Sequence, residues 1–257
     1  MILKKKLKNI ENTFGTWVNI NNILIPEIIT QSDFDWLCFD LEHSSIDYSS
    51  LQNLLISNSN NQIASLVRVP DNDESIIKKV MDMGADGIIV PNIKTAEEAK
   101  KAVRSIKYYP KGDRGVGLFR AQSYGNRFRE YFLNSNKNNI LILQIENIKA
   151  VENIEEISNV NDIDCFFVGP YDLSCSMQIP GDFKNIKFRK ALKRILEFCK
   201  AKKVSVGIHS VSTDYKEAVK YKKMGFNFIG LSIDTIMLKD MSNKLLNEVK
   251  NNWVKMF

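Results

Sequence analysis

The sequence predicts a closed (β/α)₈ barrel, and three observations predict it. Strand-like and helix-like runs alternate, eight of each, along 257 residues, a length that suits one such barrel. The strand-like runs are near-continuous in apolar residues rather than alternating, as strands covered by crossover helices must be. The runs between them carry apolar residues at helical spacing. A doubly wound open sheet is the alternative reading of the same alternation.

The strands are predicted at Phe14–Ile20, Trp36–Glu42, Ala64–Val69, Gly87–Pro91, Ile140–Glu146, Cys165–Gly169, Val204–Ile208 and Phe226–Ser232. After the third, Ile76, Ile77, Val80 and Met81 form an apolar helical stripe, and Gly84 ends that helix as a C′ glycine. After the fourth, Thr95-Ala96-Glu97-Glu98 is a capping box that opens the next helix. The stretch from Tyr109 to Asn139 is long for a connection and carries Gly112, Arg114, Gly115, Gly117 and Arg120. Connections of that length usually serve function or are disordered. The last helix is predicted from Thr235 to Phe257, with a stripe of Leu238, Met241, Leu245, Val249 and Trp253. That stripe either closes the barrel or docks on another subunit. No linker rich in Pro, Gly or Ser divides the chain, so a single domain over residues 1–257 is expected.

Composition excludes several classes. No apolar run approaches the roughly 20 residues of a membrane helix, and the basic start Met1-Ile2-Leu3-Lys4-Lys5-Lys6 has no apolar stretch of a signal peptide behind it. The four cysteines form no Cys-x-x-Cys pair, and two fall inside apolar strands, which suits a reduced cytoplasmic protein. The net charge of +6 comes from lysines scattered among asparagines and isoleucines. No aromatic interleaving of a single-strand binding groove accompanies them, so no nucleic-acid partner is expected.

In such a barrel the chemistry lies at the C-terminal ends of the strands. Those ends offer Trp17; Asp40, Glu42 and His43; Arg68; Pro91 and Asn92; Gln144 and Glu146; Gly169, Pro170 and Asp172; His209; and Asp234. An acid that closes a buried strand is costly unless something offsets its charge. Glu146 and Asp172, at equivalent positions, therefore suggest a divalent cation with oxygen ligands. Each acid taken alone has a structural explanation, such as a helix cap for Asp172 or an ion pair for Glu146, but together they converge on one face. His209 reads as structural or peripheral. No lysine occupies an interior strand end, so a Schiff-base mechanism lacks its nucleophile. There is no nucleophile elbow and no Walker-type loop.

Phe34-Asp35-Trp36-Leu37-Cys38-Phe39-Asp40-Leu41-Glu42-His43 resembles the FDW…D-x-EH signature of the class II pyruvate aldolases, the hydroxy-oxo-heptanedioate aldolase and 2-dehydro-3-deoxyglucarate aldolase family. Val67-Arg68-Val69-Pro70, Met81-Asp82-Met83-Gly84-Ala85-Asp86, Tyr109-Pro110-Lys111-Gly112-Asp113-Arg114-Gly115, Gln144-Ile145-Glu146 and Val168-Gly169-Pro170-Tyr171-Asp172-Leu173-Ser174 follow in that family's order. The resemblance implies a (β/α)₈ barrel that exchanges its last helix with a neighbour and assembles as a homohexamer, a trimer of dimers. It implies Glu146 and Asp172 as ligands of Mg²⁺, Mn²⁺ or Co²⁺. It implies His43 as the acid–base group, with Asp40 and with Asp82 of a neighbouring copy. Arg68 then binds the keto oxygen, Trp17, Gln144 and Tyr171 line the oxo-acid pocket, and the backbone from Gly169 through Pro170 to Asp172 cradles the carboxylate. The implied reaction cleaves a hydroxy-2-oxo acid to pyruvate and an aldehyde. A related carbon–carbon lyase acting on an acyl-CoA or a phosphoenolpyruvate-type substrate is the alternative. Ser44-Ser45, Tyr171 and Gln178 depart from the family's pattern and touch the pocket wall rather than the metal and acid–base positions.

Overall fold

The structure, a computed structural model, describes residues 2–59 and 62–253. Its centre is a closed parallel barrel of eight strands in sequence order. These are β1 (Thr13–Val18), β2 (Trp36–Asp40), β3 (Ala64–Arg68), β4 (Gly87–Val90), β5 (Ile140–Ile145), β6 (Cys165–Val168), β7 (Ser205–Ser210) and β8 (Phe228–Ile233). Every predicted strand is present, with ends shifted by one or two residues. Around them run α1 (Ile2–Lys8), α2 (Leu24–Ile29), α3 (Tyr48–Ser57), α4 (Glu74–Asp82), α5 (Ala96–Ile106), α6 (Phe128–Asn138), α7 (Ile148–Glu152), α8 (Ile154–Ser158), α9 (Pro170–Ser176), α10 (Ile186–Lys202), α11 (Tyr215–Met224) and α12 (Asp234–Trp253). Residues 254–257 of the expected last helix, and the Trp253 side chain, lie outside the described residues. No helix among the described residues is long and apolar enough to cross a membrane.

Two apolar layers explain the continuous strand pattern. Alternate residues point outward, where Phe39, Val67, Ile88, Leu143 and Phe166 meet the helices. The others point inward, where Trp17, Trp36, Cys38, Leu66, Ile142, Phe167 and Phe228 fill the barrel. Trp36 stacks on Phe228 with ring centroids 4.2 Å apart. That ring needs a glycine beside it, because a Cβ on Gly15 would stand 2.0 Å from the Trp36 indole.

The helices start where side chains at strand-end loops cap them. Asp47, Asp73, Thr95, Asn147, Asn185 and Asp214 each accept from a first-turn N–H of α3, α4, α5, α7, α10 and α11 respectively. The capping box at Thr95–Glu98 is complete, and α4 ends at Asp82, with Met83 as its cap before Gly84, whose φ is +96°. Helix N-termini therefore ring the same face as the strand C-termini and lend it positive potential.

Two elements differ from the sequence reading. The basic N-terminus is a helix: α1 drives Leu3 and Leu7 into the bottom of the barrel, both buried. Its lysines face out to pair with Asp164 (Lys4, 2.6 Å) and Asp35 (Lys6, 2.5 Å), and Ser205 Oγ donates to the Leu7 carbonyl. Seven residues are too few to announce a helix by periodicity. The long connection after α5 is not structureless. It holds a 3₁₀ turn at Arg120–Gln122 and then α6, and it packs on the outside of the barrel. Its centre is Arg114, 3% exposed, whose Nη2 donates to Asp82 Oδ1 at 2.6 Å beside the Tyr108 and Tyr131 rings. Arg120 donates to the Met83 and Leu55 carbonyls at the C-terminal ends of α4 and α3.

Because α1 closes the barrel floor, Leu7→Ala should cost ~2–4 kcal/mol, as other buried Leu→Ala changes do. Chemical denaturation would show it as a lower midpoint with unchanged slope. A variant as stable as the parent would mean that α1 is not part of the core.

Candidate active site

The strand C-termini bring most of the expected site residues together, and a charge pair organises them. Parallel register sets Asp40 beside Arg68 at the ends of β2 and β3. Arg68 grips Asp40 with both prongs of its guanidinium, Nε to Oδ1 at 2.8 Å and Nη2 to Oδ2 at 2.6 Å. Asp40 is 1% exposed, and it also accepts from the backbone N–H groups of Glu42 and His43 and from Asn19 Nδ2. Burial alone would raise its carboxyl, but the Arg68 guanidinium and these amides outweigh burial and hold it below the usual carboxylate value. Asp40 thus anchors Arg68 and the His43 loop. Trp17 lies underneath: the Arg68 guanidinium stands 4.5 Å from the centre of its ring. Trp17 is only 2% exposed and supports Arg68 from below.

Opposite Arg68 stand three more carboxylates. Glu42 Oε2 is 3.3 Å from Arg68 Nε and 3.8 Å from His43 Nε2. The His43 ring is open to solvent, with 64% of its side chain exposed. Glu146, largely buried, accepts from the Asn92 N–H at 2.8 Å and from Gln144 Nε2. Asn92 can aim its N–H this way because it adopts a left-handed φ of +54°, which asparagine tolerates better than most residues. Asp172 is exposed in the first turn of α9, which begins at Pro170 behind the Gly169 cap. A Cβ on Gly169 would lie 2.7 Å from Glu146 Oε2, so a side chain there would push the Glu146 carboxylate aside.

The electrostatics of this group are unbalanced. Burial pushes the Glu42 carboxyl up to about 7, and Asp40, Asp172 and Asp71 add to the rise against the pull of Arg68. Burial likewise pushes Glu146 up to about 7, with Asp172 and Glu42 adding repulsion against the Asn92 amide and Arg68. The Gln144 Oε1 atom is buried without a hydrogen-bond partner. Among the described residues no group of three or more His, Cys, Asp or Glu side chains is drawn together tightly enough to form a ready-made metal cage. What stands there is a set of oxygen donors with surplus negative charge. A hard divalent cation that keeps several waters needs only one or two protein carboxylates, and this set suits it.

The remaining strand-end residues divide cleanly. His209 packs on Trp17 and Phe167, and its Nε2 bonds to the Ser232 carbonyl at 3.0 Å. Burial lowers its pKa to about 4. Asp234 accepts from the N–H groups of Asn19, Ile20 and Thr235 and so pins the loop after β1. Asp82 is not brought to the site within this chain, since it ends α4 and pairs with Arg114. Tyr171 is half exposed and meets the Phe183 ring edge-on at 5.0 Å. Gln178 has a φ of +60°, a conformation for which glycine is the usual residue. Asn19 escapes the sequence reading, and Asn92 and Glu42 are named there by position without these roles. Only Asn92 carries a local signal, an asparagine directly behind Pro91 at a strand end.

Comparison with known proteins agrees with this geometry. Residues 13–240 match the model of the HpcH/HpaI aldolase/citrate lyase family. The chain is 33% identical to the hydroxypyruvate/pyruvate aldolase of Paraburkholderia phytofirmans, covering 97% of each chain. It is 32% identical to the 5-keto-4-deoxy-D-glucarate aldolase of Shigella boydii, covering 92% of this chain and 91% of that one. Among solved structures, an HpcH/HpaI aldolase/citrate lyase family protein from Burkholderia cenocepacia J2315 superposes with a TM-score of 0.92 at 31% identity, over 97% of this chain and 99% of that one. The HpcH/HpaI aldolase of Desulfitobacterium hafniense DCB-2 gives 0.88 at 27% identity, covering 96% of each.

Removing Arg68 leaves Asp40 buried and unpaired. Arg68→Ala should therefore cost about 3–5 kcal/mol near neutral pH. The sign of its pH dependence follows from the pair. In the parent, Asp40 has a depressed pKa, so its contribution is present above the unfolded carboxyl value and is lost as pH falls through the folded one. In the variant, burial acts unopposed by Arg68, so protonation relieves the strain. The stability gap between variant and parent should shrink between about pH 7 and pH 4. A gap constant with pH, read by denaturant titration, would rule out the ion pair as its source.

Proposed function

The chain belongs to the HpcH/HpaI aldolase/citrate lyase family and is a carbon–carbon lyase of the aldolase type; from that premise we propose how its strand-end residues divide the work. The reaction is cleavage of a hydroxy-2-oxo acid to pyruvate and an aldehyde, or its reverse. The observation that carries the division of roles is the meeting of Arg68, Glu42, Glu146 and Asp172 at one end of the barrel with surplus negative charge.

Glu146 and Asp172 are the residues that would hold a divalent cation, with Mg²⁺, Mn²⁺ and Co²⁺ as the choices to test. When bound, such an ion supplies Lewis-acid polarisation of the keto group and offsets the carboxylate charge. The backbone from Gly169 through Pro170 and Tyr171 to Asp172 receives the substrate carboxylate, with N–H groups of the first turn of α9 free to donate. Gln144 lies beside Glu146 on the same side of β5 and orients the oxo acid. Arg68, always charged and already rigid through Asp40 and Trp17, faces the oxygen on which enolate charge develops. His43, exposed beside Glu42, takes the proton from the substrate hydroxyl. The carbon–carbon bond then breaks, the carbonyl of the aldehyde forms, and the electron pair passes into pyruvate enolate. Protonation of the enolate carbon releases pyruvate.

Assembly belongs to the same proposal. Along α12, Leu238, Met241 and Leu245 are each more than 60% exposed, and Leu246 and Val249 about half exposed. An apolar groove of about 850 Å³ runs between α11 and the start of α12, with Phe14, Val219 and Met241 among its walls. Face and groove are complementary, which supports exchange of α12 between copies and a homo-oligomer, a trimer of dimers by family resemblance. A neighbour could then present Asp82 towards His43, provided Arg114 releases it. The four free cysteines suit a cytoplasmic location.

Three outcomes test these roles. Divalent cations should raise the melting temperature of the parent near pH 7.5 and leave Glu146→Gln and Asp172→Asn unmoved. The apo Glu146→Gln protein should be the more stable one at that pH. A carboxyl raised to about 7 in the folded state binds its proton more tightly there, so the parent loses stability as pH climbs from about 4.5 through 7, and the advantage of Gln should vanish at the acid end. Cation stabilisation of both variants would refute the ligand assignment. His43→Ala should slow aldol cleavage by roughly 10²–10⁴-fold and slow exchange of the pyruvate methyl protons far less; equal losses would deny His43 its separate role. Truncation after Asp234 should abolish assembly in light scattering together with activity, and a fully active monomer would show that each site is complete in one chain.

A further inference from the structure

His209 is one of only two histidines in the chain, and the mechanism above does not use it. Its ring is held by one edge. Nε2 bonds to the Ser232 carbonyl at 3.0 Å, and a Cβ on Gly230 would stand 3.2 Å from Cδ2, so the Cδ2–Nε2 edge faces β8. A carbonyl accepts only, so Nε2 carries the proton and Nδ1 is left with its lone pair. The ring cannot take a second proton near neutral pH, because burial lowers its pKa to about 4. The Nδ1 edge points away from β8, and no protein group among the described residues bonds to it.

That ring lines a cavity of about 250 Å³ at the ends of β6, β7 and β8. Pro170 and Tyr171 form one wall, so the cavity adjoins the segment proposed to hold the oxo-acid carboxylate. Phe183 and Ile236 supply apolar surface. The carboxylate in the lining is Glu217, which accepts from Ser210 Oγ at 2.9 Å and from Tyr221 Oη at 3.4 Å. Lys239 lies at the rim with its ammonium 3.2 Å from Asp240. Ser212 Oγ already accepts from the Asp214 N–H. Depth in this cavity therefore offers hydrogen-bond acceptors and one negative charge.

We infer that this cavity receives the aldehyde half of the substrate, and that Nδ1 of His209 accepts a hydrogen bond from a hydroxyl group on it. Resting on the aldolase reading above, the inference names the class of aldehyde: short, hydroxylated and uncharged. A hydroxyl donates to Nδ1 and fits beside Glu217. An alkyl group of the same size leaves Nδ1 unpaired, and a carboxylate meets Glu217 head on.

The test is aldol addition to pyruvate by the divalent-loaded protein, with glycolaldehyde, propanal and glyoxylate as acceptors. Glycolaldehyde and propanal match in heavy atoms and differ in the hydroxyl. The parent should prefer glycolaldehyde over propanal by about tenfold or more in kcat/KM and should disfavour glyoxylate. His209→Leu should erase the preference between glycolaldehyde and propanal. His209→Asn, which keeps an acceptor oxygen near the place of Nδ1, should restore part of it. The readout is a ratio, and a purely structural fault would scale both aldehydes alike. Equal selectivity in the parent, or a ratio unchanged in both variants, overturns the inference even if His209→Leu fails to fold. Pyruvate methyl-proton exchange in the parent separates the two levels. Exchange without hydroxyl preference refutes this inference alone, and absence of exchange refutes the aldolase roles and this inference with them.

Discussion

The bidentate pair between Asp40 and Arg68 is the interaction on which the rest of the site depends. A guanidinium at the mouth of an apolar barrel is costly to desolvate, and Asp40 offsets that cost with two charge-assisted hydrogen bonds fixed by strand register. Trp17 fills the space below, and Asn19 and the Glu42 and His43 amides complete Asp40's hydrogen bonding. Arg68 therefore stands in one orientation before any substrate arrives. The preorganisation matters because a donor that need not move costs nothing at the moment charge develops. The same bonds hold the Asp40 carboxyl below its usual pKa despite its burial.

Strength at one end of the barrel permits tension at the other. The floor is apolar and closed, with Leu3, Leu7, Trp36 and Phe228 packed together. The mouth sets one guanidinium against Asp40, Glu42, Glu146 and Asp172. Two of those carboxyls are pushed up to about 7, by burial first and by their carboxylate neighbours second. Such a cluster would be a defect in a structural barrel. In a lyase it is a place where a cation and an anionic oxo acid each find their complement.

The fold was legible because its strands are buried on both faces. Runs such as Ile140–Ile145 and Cys165–Val168 leave little room for another assignment, and their last residues mark the chemical face directly. The helix starts were legible where a side chain caps them, as at Thr95. Other features have no one-dimensional signature. Leu3 and Leu7 look like part of a basic tail until the barrel floor is there to receive them. Arg114 looks like a loop residue, yet it is buried against Asp82 and two tyrosines, a contact that only the folded connection creates. Asn19, just past β1, reaches Asp40 at the end of the neighbouring β2, and nothing near it in sequence announces that. Trp17 is legible as a strand-end residue, but its stacking under Arg68 is not, because that contact depends on the inward register of two strands.

Two features of the folded chain are incomplete in ways that a single polypeptide does not repair. One is the surplus negative charge at Glu42 and Glu146. The other is the exposed apolar face of α12 beside an apolar groove. Asp234, at the end of β8 where α12 begins, also ties down the loop after β1. That loop carries Asn19, which donates to Asp40 beside Arg68. The chain thus fixes Arg68 with its own contacts, and neither incomplete feature is needed to hold it in register with the carboxylates.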